Sequence, residues 1–227
     1  MSGEIHVLSS MATRALLAEL AAAGSTPVRV ESVGGVDAAK RVAAGETFDV
    51  VVLASDAIDR LLAAGHLAAG SKVDLVRCDV AIAVPDGAQR PSVADEAGLR
   101  AAVSAASRIA LSTGPSGTAL VKRFERWGLA DAVRDRLVQA PPGVPVGRLL
   151  AEGQADIGFQ QLSELLGLSG IAVLGTMPPG LEIVTTFSAA CCVAGRGRAE
   201  VQPLLARWRS AATDEMKHRH GMLDARA

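Results

Sequence analysis

Segments with strand-like sequences in the first quarter of the chain each run directly into small or hydroxylated residues. The most constraining segment is residues 49–54, Asp-Val-Val-Val-Leu-Ala, which is followed by Ser55. An almost uninterrupted apolar run of this length is typical of a parallel strand buried on both faces. Two earlier segments end in the same way: 5–8 before Ser9 and Ser10, and 28–33 before Gly34 and Gly35. Repeated strand-to-helix steps predict an α/β fold built on doubly wound parallel sheets.

A second series of strands and helices follows a loop at residues 85–92 that is rich in Pro and Gly. We expect a strand at 108–111, a loop at 112–117 and a helix at 118–127, then a strand at 155–159 with Gln160 and Gln161 opening the next helix. The last part of the chain predicts an apolar segment over 182–194, a helix over 199–217 and about ten frayed terminal residues. Two such series predict two α/β lobes.

Charge and composition disfavour several classes of partner. The chain carries 23 Lys and Arg against 24 Asp and Glu, and its net charge of −1 gives no field to hold a nucleic-acid backbone. It has no Tyr, so a sugar-stacking surface is disfavoured. Its three cysteines form neither a disulfide framework nor a zinc motif, and glycine motifs for nucleotides are missing. We therefore expect no nucleic acid, no metal and no cofactor.

The amino-terminal sequence, Met-Ser-Gly-Glu-Ile-His, has no basic region followed by an apolar one, so it does not match a secretory signal. Every apolar run is also shorter than the ~20 residues of a membrane-spanning helix. The sequence as it stands predicts a cytoplasmic location, and a periplasmic one if a leader has been removed.

The strand-to-helix turns share a chemistry that suits an anion. Each places unpaired backbone N–H groups and the positive end of a helix dipole beside small residues or hydroxyls. Glycine lets a ligand approach the backbone closely, and a serine hydroxyl donates without bringing a charge. Ligands of α/β sheets bind beyond the carboxyl ends of the strands, where these turns lie. A carboxylate or an inorganic oxyanion is the expected ligand, although a serine at a helix start can also be only an N-cap.

Several short motifs stand in an order and spacing that characterise one protein family. They are Ser9-Ser10-Met11 after the first strand, Gly34-Gly35 after the second, Phe48-Asp49-Val50-Val51-Val52 with Ser55, and Ala63-Ala64-Gly65-His66-Leu67. With these motifs the chain resembles the type II periplasmic solute-binding proteins, especially their molybdate-binding branch. The resemblance implies two lobes, each a doubly wound sheet with helices on both faces, and a ligand cleft between them. Its lobes would be residues 1–80 with 190–227, and 81–189, with crossings near 78–84 and 188–193.

Two further segments, residues 113–117 and 158–164, resemble a sub-branch of these proteins that also includes aconitate isomerase. The Tyr by which molybdate binders contact their anion in the second lobe is missing, and Phe159 or Gln160 stands about there. The resemblance implies a protein that binds a small anion, an organic di- or tricarboxylate in preference to a molybdate-type oxyanion, and that serves an ABC-type permease if it is exported. The alternative is a cofactor-free isomerase of a small polycarboxylate, which moves a proton along an allylic system.

Turn chemistry and resemblance together select the candidate site residues. For ligand binding they are Ser9, Ser10, Met11, Arg14, Gly34, Gly35, Ser55, Thr113, Gly114, Pro115, Ser116, Gly117, Gln160 and Gln161. An isomerase also needs a base, for which Glu164 is the first candidate and His6 the second.

Some of these residues also have a purely structural interpretation. Arg14 could hold a carboxylate bidentately or lie on a solvated helix face. Gln160 and Gln161 could bind both oxygens of a carboxylate or only begin a helix. Glu164 could be a helix-capping acid rather than a base.

Overall fold

Two compact units divide the chain. One is formed by Met1–Cys78 and Thr186–Ala227, and the other by Asp79–Thr185. The computed structural model describes residues 3–193 and 198–226. Both units are α/β, and within these ranges no helix combines the length and the apolar character that crossing a bilayer requires.

Ten strands and ten α-helices lie in the described residues. The strands are β1 Ile5–Ser10, β2 Val28–Val33, β3 Val50–Ala54, β4 Val73–Pro85, β5 Ile109–Leu111, β6 Leu137–Gln139, β7 Ile157–Gln161, β8 Ile171–Thr176, β9 Val184–Cys191 and β10 Met222–Asp224. The helices are α1 Arg14–Ala22, α2 Gly35–Ala43, α3 Ser55–Ala63, α4 Glu96–Ala105, α5 Pro115–Arg126, α6 Ala130–Val133, α7 Val146–Ala151, α8 Leu162–Leu165, α9 Val201–Arg209 and α10 Asp214–Arg219. Strands β4 and β9 each begin in one unit and end in the other.

The first unit is built on the parallel strands β1, β2 and β3. β1 lies between the other two, so that Val7 stands opposite both Val30 and Val50. The antiparallel strand β9 pairs with the other side of β3. All five residues of β3 are buried, as its apolar sequence predicts. Leu53 of this strand shares an apolar cluster with Ile58 of α3, which fixes the start of α3 against the sheet.

The second unit has a sheet with the strand order β4, β7, β5, β6. β5 is parallel to both of its neighbours, with Leu111 opposite Phe159 of β7 and Gln139 of β6. β7 and β8 both pair antiparallel with β4. The ring of Phe124, from α5, meets Phe159 edge to face with 6.2 Å between the ring centroids. This contact fixes α5 against the middle of β7.

Two boundaries in the second unit differ from the expected ones. α5 begins at Pro115 rather than at residue 118, so Ser116 and Gly117 lie in its first turn. Proline suits that position because an N–H there would have no partner within the helix. Gln160 and Gln161 are the last two residues of β7. The expectation that they open a helix is wrong, because both pair with β4 across the sheet.

The carboxyl-terminal segment is anchored in the described residues, and the expectation that it frays is wrong. The helix expected over 199–217 is divided into α9 and α10, and β10 then pairs antiparallel with residues 76–78 of β4. Lys217 is fully buried and donates to the carboxylates of Asp214 at 2.9 Å and Asp224 at 3.1 Å. The hydrogen bond from Lys217 holds the pKa of Asp214 below its usual range. A buried ammonium with two carboxylates therefore ties β10 to α10.

Replacing Asp224 with Ala should lower the free energy of unfolding by about 2–4 kcal/mol, because a buried ammonium would lose one of its carboxylates. Urea denaturation of the purified chain measures the change. Glu215→Ala is the control, since the Glu215 side chain is 90% exposed and the variant should unfold like the wild type. An Asp224→Ala protein as stable as this control would show that the ion pairs do not anchor the segment.

Candidate functional site

Three parallel strands of the first unit end at one edge of their sheet. The register places Ser10 opposite Val33, and Ser9 opposite both Ser32 and Val52. Each strand is followed, after one residue at most, by a helical segment, namely a 3-10 turn, α2 and α3. None of these three segments receives a side-chain hydrogen bond from its N-cap residue. Their first N–H groups therefore gather at this edge with no N-cap side chain as acceptor.

The adjacent serines at the end of β1 have different partners. Ser9 Oγ lies 2.7 Å from Ser32 Oγ, and it also donates to the Ser10 carbonyl at 3.3 Å. Thr13 Oγ1 donates to the same carbonyl at 3.2 Å. The Ser10 hydroxyl is buried and has no hydrogen-bond partner among the described residues. A buried hydroxyl without a partner is unfavourable by about 1–3 kcal/mol, so Ser10 is the member of the pair that a ligand would satisfy.

The start of α2 lies beside Ser10. A Cβ placed on Gly35 would be 3.6 Å from the Cβ of Ser10, and a Cβ on Gly34 would be 3.3 Å from Asp37 Oδ2. Ser55 is the first residue of α3 and is half-buried. The structure therefore brings Ser10, Gly34, Gly35 and Ser55 to one edge, where they supply neutral donors.

Three other candidates of the first unit have different positions. Met11 begins the 3-10 turn after Ser10 and is half-buried. Arg14 begins α1 and is exposed, and its guanidinium makes no hydrogen bond or ion pair with the part of the chain that the structure describes. His6 precedes Ser10 by four residues, about 13 Å along the strand. Its Nε2 lies 3.6 Å from the Glu4 carboxylate. The structure therefore places His6 at the opposite end of β1 from the candidate donors.

The second unit repeats the arrangement where β5 leads into α5. Thr113 and Pro115 are exposed in this turn, and Gly114 is the N-cap residue of the helix. Ser112 Oγ and Ser116 Oγ lie 3.1 Å apart, and Ser116 is buried. When one hydroxyl of the pair donates to the other, the accepting hydroxyl keeps its own proton for another acceptor. The pair therefore leaves one donor for a ligand.

Both ends of the Gln160 side-chain amide are occupied. Its Oε1 accepts the N–H of Val146 at 2.7 Å, and its Nε2 donates to Glu164 Oε2 at 2.7 Å. Val146 is the first residue of α7, whose N-cap residue, Pro145, gives no side-chain hydrogen bond. Gln160 therefore satisfies the start of α7 and holds the Glu164 carboxylate, so its amide is already engaged within the unit.

The Gln161 amide has a partner at one end only. Its Nε2 donates to Thr185 Oγ1 at 2.7 Å, whereas its Oε1 is buried with no partner in the described ranges. The residue as a whole is 5% exposed. Thr185 is the residue that sequence reasoning missed, because it comes from β9 and no local pattern connects it with Gln161.

Comparison with known proteins identifies the family. The model of the bacterial extracellular solute-binding proteins matches residues 5–223 of this chain. The chain belongs to this family. An aconitate isomerase from a Pseudomonas species is 35% identical over 153 residues, which are 66% of this chain and 57% of that relative's length.

Solved structures give the fold. The periplasmic molybdate-binding protein of Azotobacter vinelandii superposes with a TM-score of 0.79 at 18% identity, covering 96% of this chain and 98% of that one. The sulfate-binding protein of Mycobacterium tuberculosis superposes with a TM-score of 0.74 at 14% identity, covering 96% and 86%. The expected type II periplasmic-binding-protein fold is thereby confirmed.

Replacing Gly117 with Ala should lower the free energy of unfolding by about 1–3 kcal/mol, the usual effect of overpacking. A Cβ at this position would lie 2.0 Å from the Ser112 carbonyl oxygen, so the first turn of α5 would have to shift. Gly114→Ala is the matched control, because a Cβ there meets no atom within 4 Å and its φ of −82° suits alanine. Chemical denaturation compares the two variants, and equal stabilities would contradict this account of the turn.

Proposed function

We propose that this chain binds a small anion, an organic di- or tricarboxylate in preference to a molybdate-type oxyanion. The Ser10 hydroxyl supports the proposal most directly, because it is buried, has no partner in the described residues, and lies where three helical segments begin. Neutral donors at helix starts suit an anion, which brings acceptor oxygens. The molybdate- and sulfate-binding names of the similar structures agree with this class of ligand.

Three observations support a polycarboxylate. The chain has no Tyr that could supply the phenol of the molybdate binders. Of the residues near that position, Phe159 packs against Phe124, and the Gln160 oxygen accepts the N–H of Val146. Arg14, one turn beyond Ser10, is an exposed cation that could balance an additional carboxylate. The relative at 35% identity is named for aconitate, a tricarboxylate.

Membership of a family of extracellular proteins supports a periplasmic location over a cytoplasmic one. In that compartment a solute-binding protein delivers its ligand to a membrane transporter. The partner of this chain would then be an ABC-type permease.

Ser10→Ala should weaken the binding of tricarballylate, a saturated tricarboxylate, by about 1–3 kcal/mol, or roughly 5- to 150-fold, because a buried donor is lost. Isothermal titration calorimetry measures the affinity. Ser9→Ala is the matched control, since the Ser9 hydroxyl is already paired with Ser32. This variant should bind tricarballylate with an affinity within about twofold of that of the wild type.

A panel of tricarballylate, citrate, malate, sulfate and molybdate tests the ligand class with the wild-type protein. Binding of molybdate more tightly than every organic acid would contradict the preference. No binding of any of the five, or equal affinities for wild type and Ser10→Ala, would contradict the proposed site.

The position of Glu164 favours a second candidate function, a cofactor-free isomerase of a small polycarboxylate. An allylic shift removes a proton from one carbon and returns it to another as the double bond moves, so it needs a base and no oxidant or reductant. Glu164 is the candidate base. It lies in α8, which begins immediately after β7, and its carboxylate accepts a hydrogen bond from the Gln160 amide. The Ser116 hydroxyl and the helix-start N–H groups could stabilise the negative charge that develops on the substrate. The name of the relative at 35% identity favours the same reaction.

Proton exchange in deuterated water separates binding from turnover. If the chain is an isomerase, it should interconvert cis- and trans-aconitate and exchange their methylene protons, followed by proton NMR. Glu164→Gln should then slow exchange by about 100-fold or more, since general-base catalysis is typically of that size. Wild-type exchange rates in Glu164→Gln would exclude Glu164 as the base, and tight binding without any exchange would exclude the isomerase.

A further inference from the structure

The two glutamines at the end of β7 differ in whether the side-chain amide can rotate by 180° and exchange the positions of its oxygen and its nitrogen. The Gln160 amide is fixed, because its oxygen accepts from the backbone N–H of Val146, which can only donate. The Gln161 amide is bonded to the hydroxyl of Thr185, which can donate or accept. Gln161 can therefore reverse its amide without losing the hydrogen bond to Thr185.

The two orientations of Gln161 present opposite chemistry at the same buried position. In the structure, Nε2 donates to Thr185 and the carbonyl oxygen is the end with no partner in the described residues. In the reversed orientation, the Thr185 hydroxyl donates to the carbonyl oxygen and the NH₂ group takes the unpartnered position. A carboxylate has only acceptor oxygens, so it is repelled by the first orientation and accepts a hydrogen bond from the second.

We propose that Gln161 and Thr185 form a specificity-determining subsite for one carboxylate group of the ligand. Thr185 donates to the Gln161 carbonyl, and the Gln161 NH₂ donates to the carboxylate. This subsite rests on the anion binding proposed above and adds to it a residue, Thr185, whose hydroxyl sets the orientation of the amide. Gln160 is excluded from the same role because reversal would oppose its NH₂ to the N–H of Val146.

Thermal unfolding of the ligand-free chain distinguishes a structural glutamine from one that serves a ligand. Gln160→Met should lower Tm by about 4 °C or more, because both Val146 and Glu164 lose a partner, whereas Gln161→Met should lower it by less than about 2 °C. Equal losses would overturn the proposal, because Gln161 would then be a structural residue like its neighbour.

Tricarballylate is the probe for binding, because it carries three carboxylates and no hydroxyl. Gln161→Met and Gln161→Glu should each weaken its binding by about tenfold or more, since Met donates no hydrogen bond and ionised Glu offers only acceptors. Thr185→Val should weaken it by about five- to tenfold, because no hydroxyl then donates to the amide. Thr185→Ser keeps the hydroxyl and should bind within about twofold of the wild type.

The outcomes separate the subsite from the function on which it rests. Wild-type affinity in Gln161→Glu or in Thr185→Val would overturn the subsite and leave anion binding in place. Failure of the wild-type protein to bind tricarballylate would overturn the proposed polycarboxylate binding, and the carboxylate subsite with it.

Discussion

Parallel strands that run directly into helices determine where this chain can hold a ligand. β2 reaches α2 through the single residue Gly34, and β3 reaches α3 with no residue between them. The first N–H groups of each helix stay at the edge of the sheet, where they have no acceptor within the helix. Backbone geometry, rather than side-chain charge, thus concentrates the donors. A net charge of −1 is therefore compatible with the anion binding proposed above.

Because side chains alternate along a strand, one residue of a neighbouring pair can have its partners within the protein while the other has an unpartnered polar atom. Ser9 and Ser10 point to opposite faces at the end of β1, and only Ser9 meets the hydroxyl of Ser32. Gln160 and Gln161 repeat this division at the end of β7, where Gln160 is engaged at both ends and Gln161 at one. In both pairs the engaged residue positions the polypeptide, and the other keeps a buried polar atom in need of a partner.

Patterns along the chain predicted those strands whose ends are marked by neighbouring residues in the sequence. The segment 28–33 forms β2 with the expected bounds, and the two glycines that follow it mark its end. Patterns failed where pairing across the sheet decides, as at Gln160 and Gln161, which look like a polar helix start and lie in a strand against β4. The anchoring of β10 on residues 76–78 was missed for the same reason.

The donor edges could be predicted from the sequence, but the role of each donor could not. Ser9 and Ser10 are identical in type, and only the position of Ser32 on the neighbouring strand shows which hydroxyl is engaged. Thr185 could not be connected with Gln161 before the start of β9 was placed beside the end of β7. Such contacts join distant segments, so they follow from the fold and not from spacing along the chain.

A crystal structure of the chain with tricarballylate would show directly whether the unpartnered groups at the strand ends bind an anion. A carboxylate oxygen should lie within hydrogen-bond distance, about 2.7–3.2 Å, of the Ser10 hydroxyl or the Gln161 amide nitrogen. Helix-start N–H groups should lie among its other partners. A tricarballylate held instead by exposed Lys and Arg side chains, with no contact to the Ser10 hydroxyl or to the Gln161 amide, would contradict the proposed site.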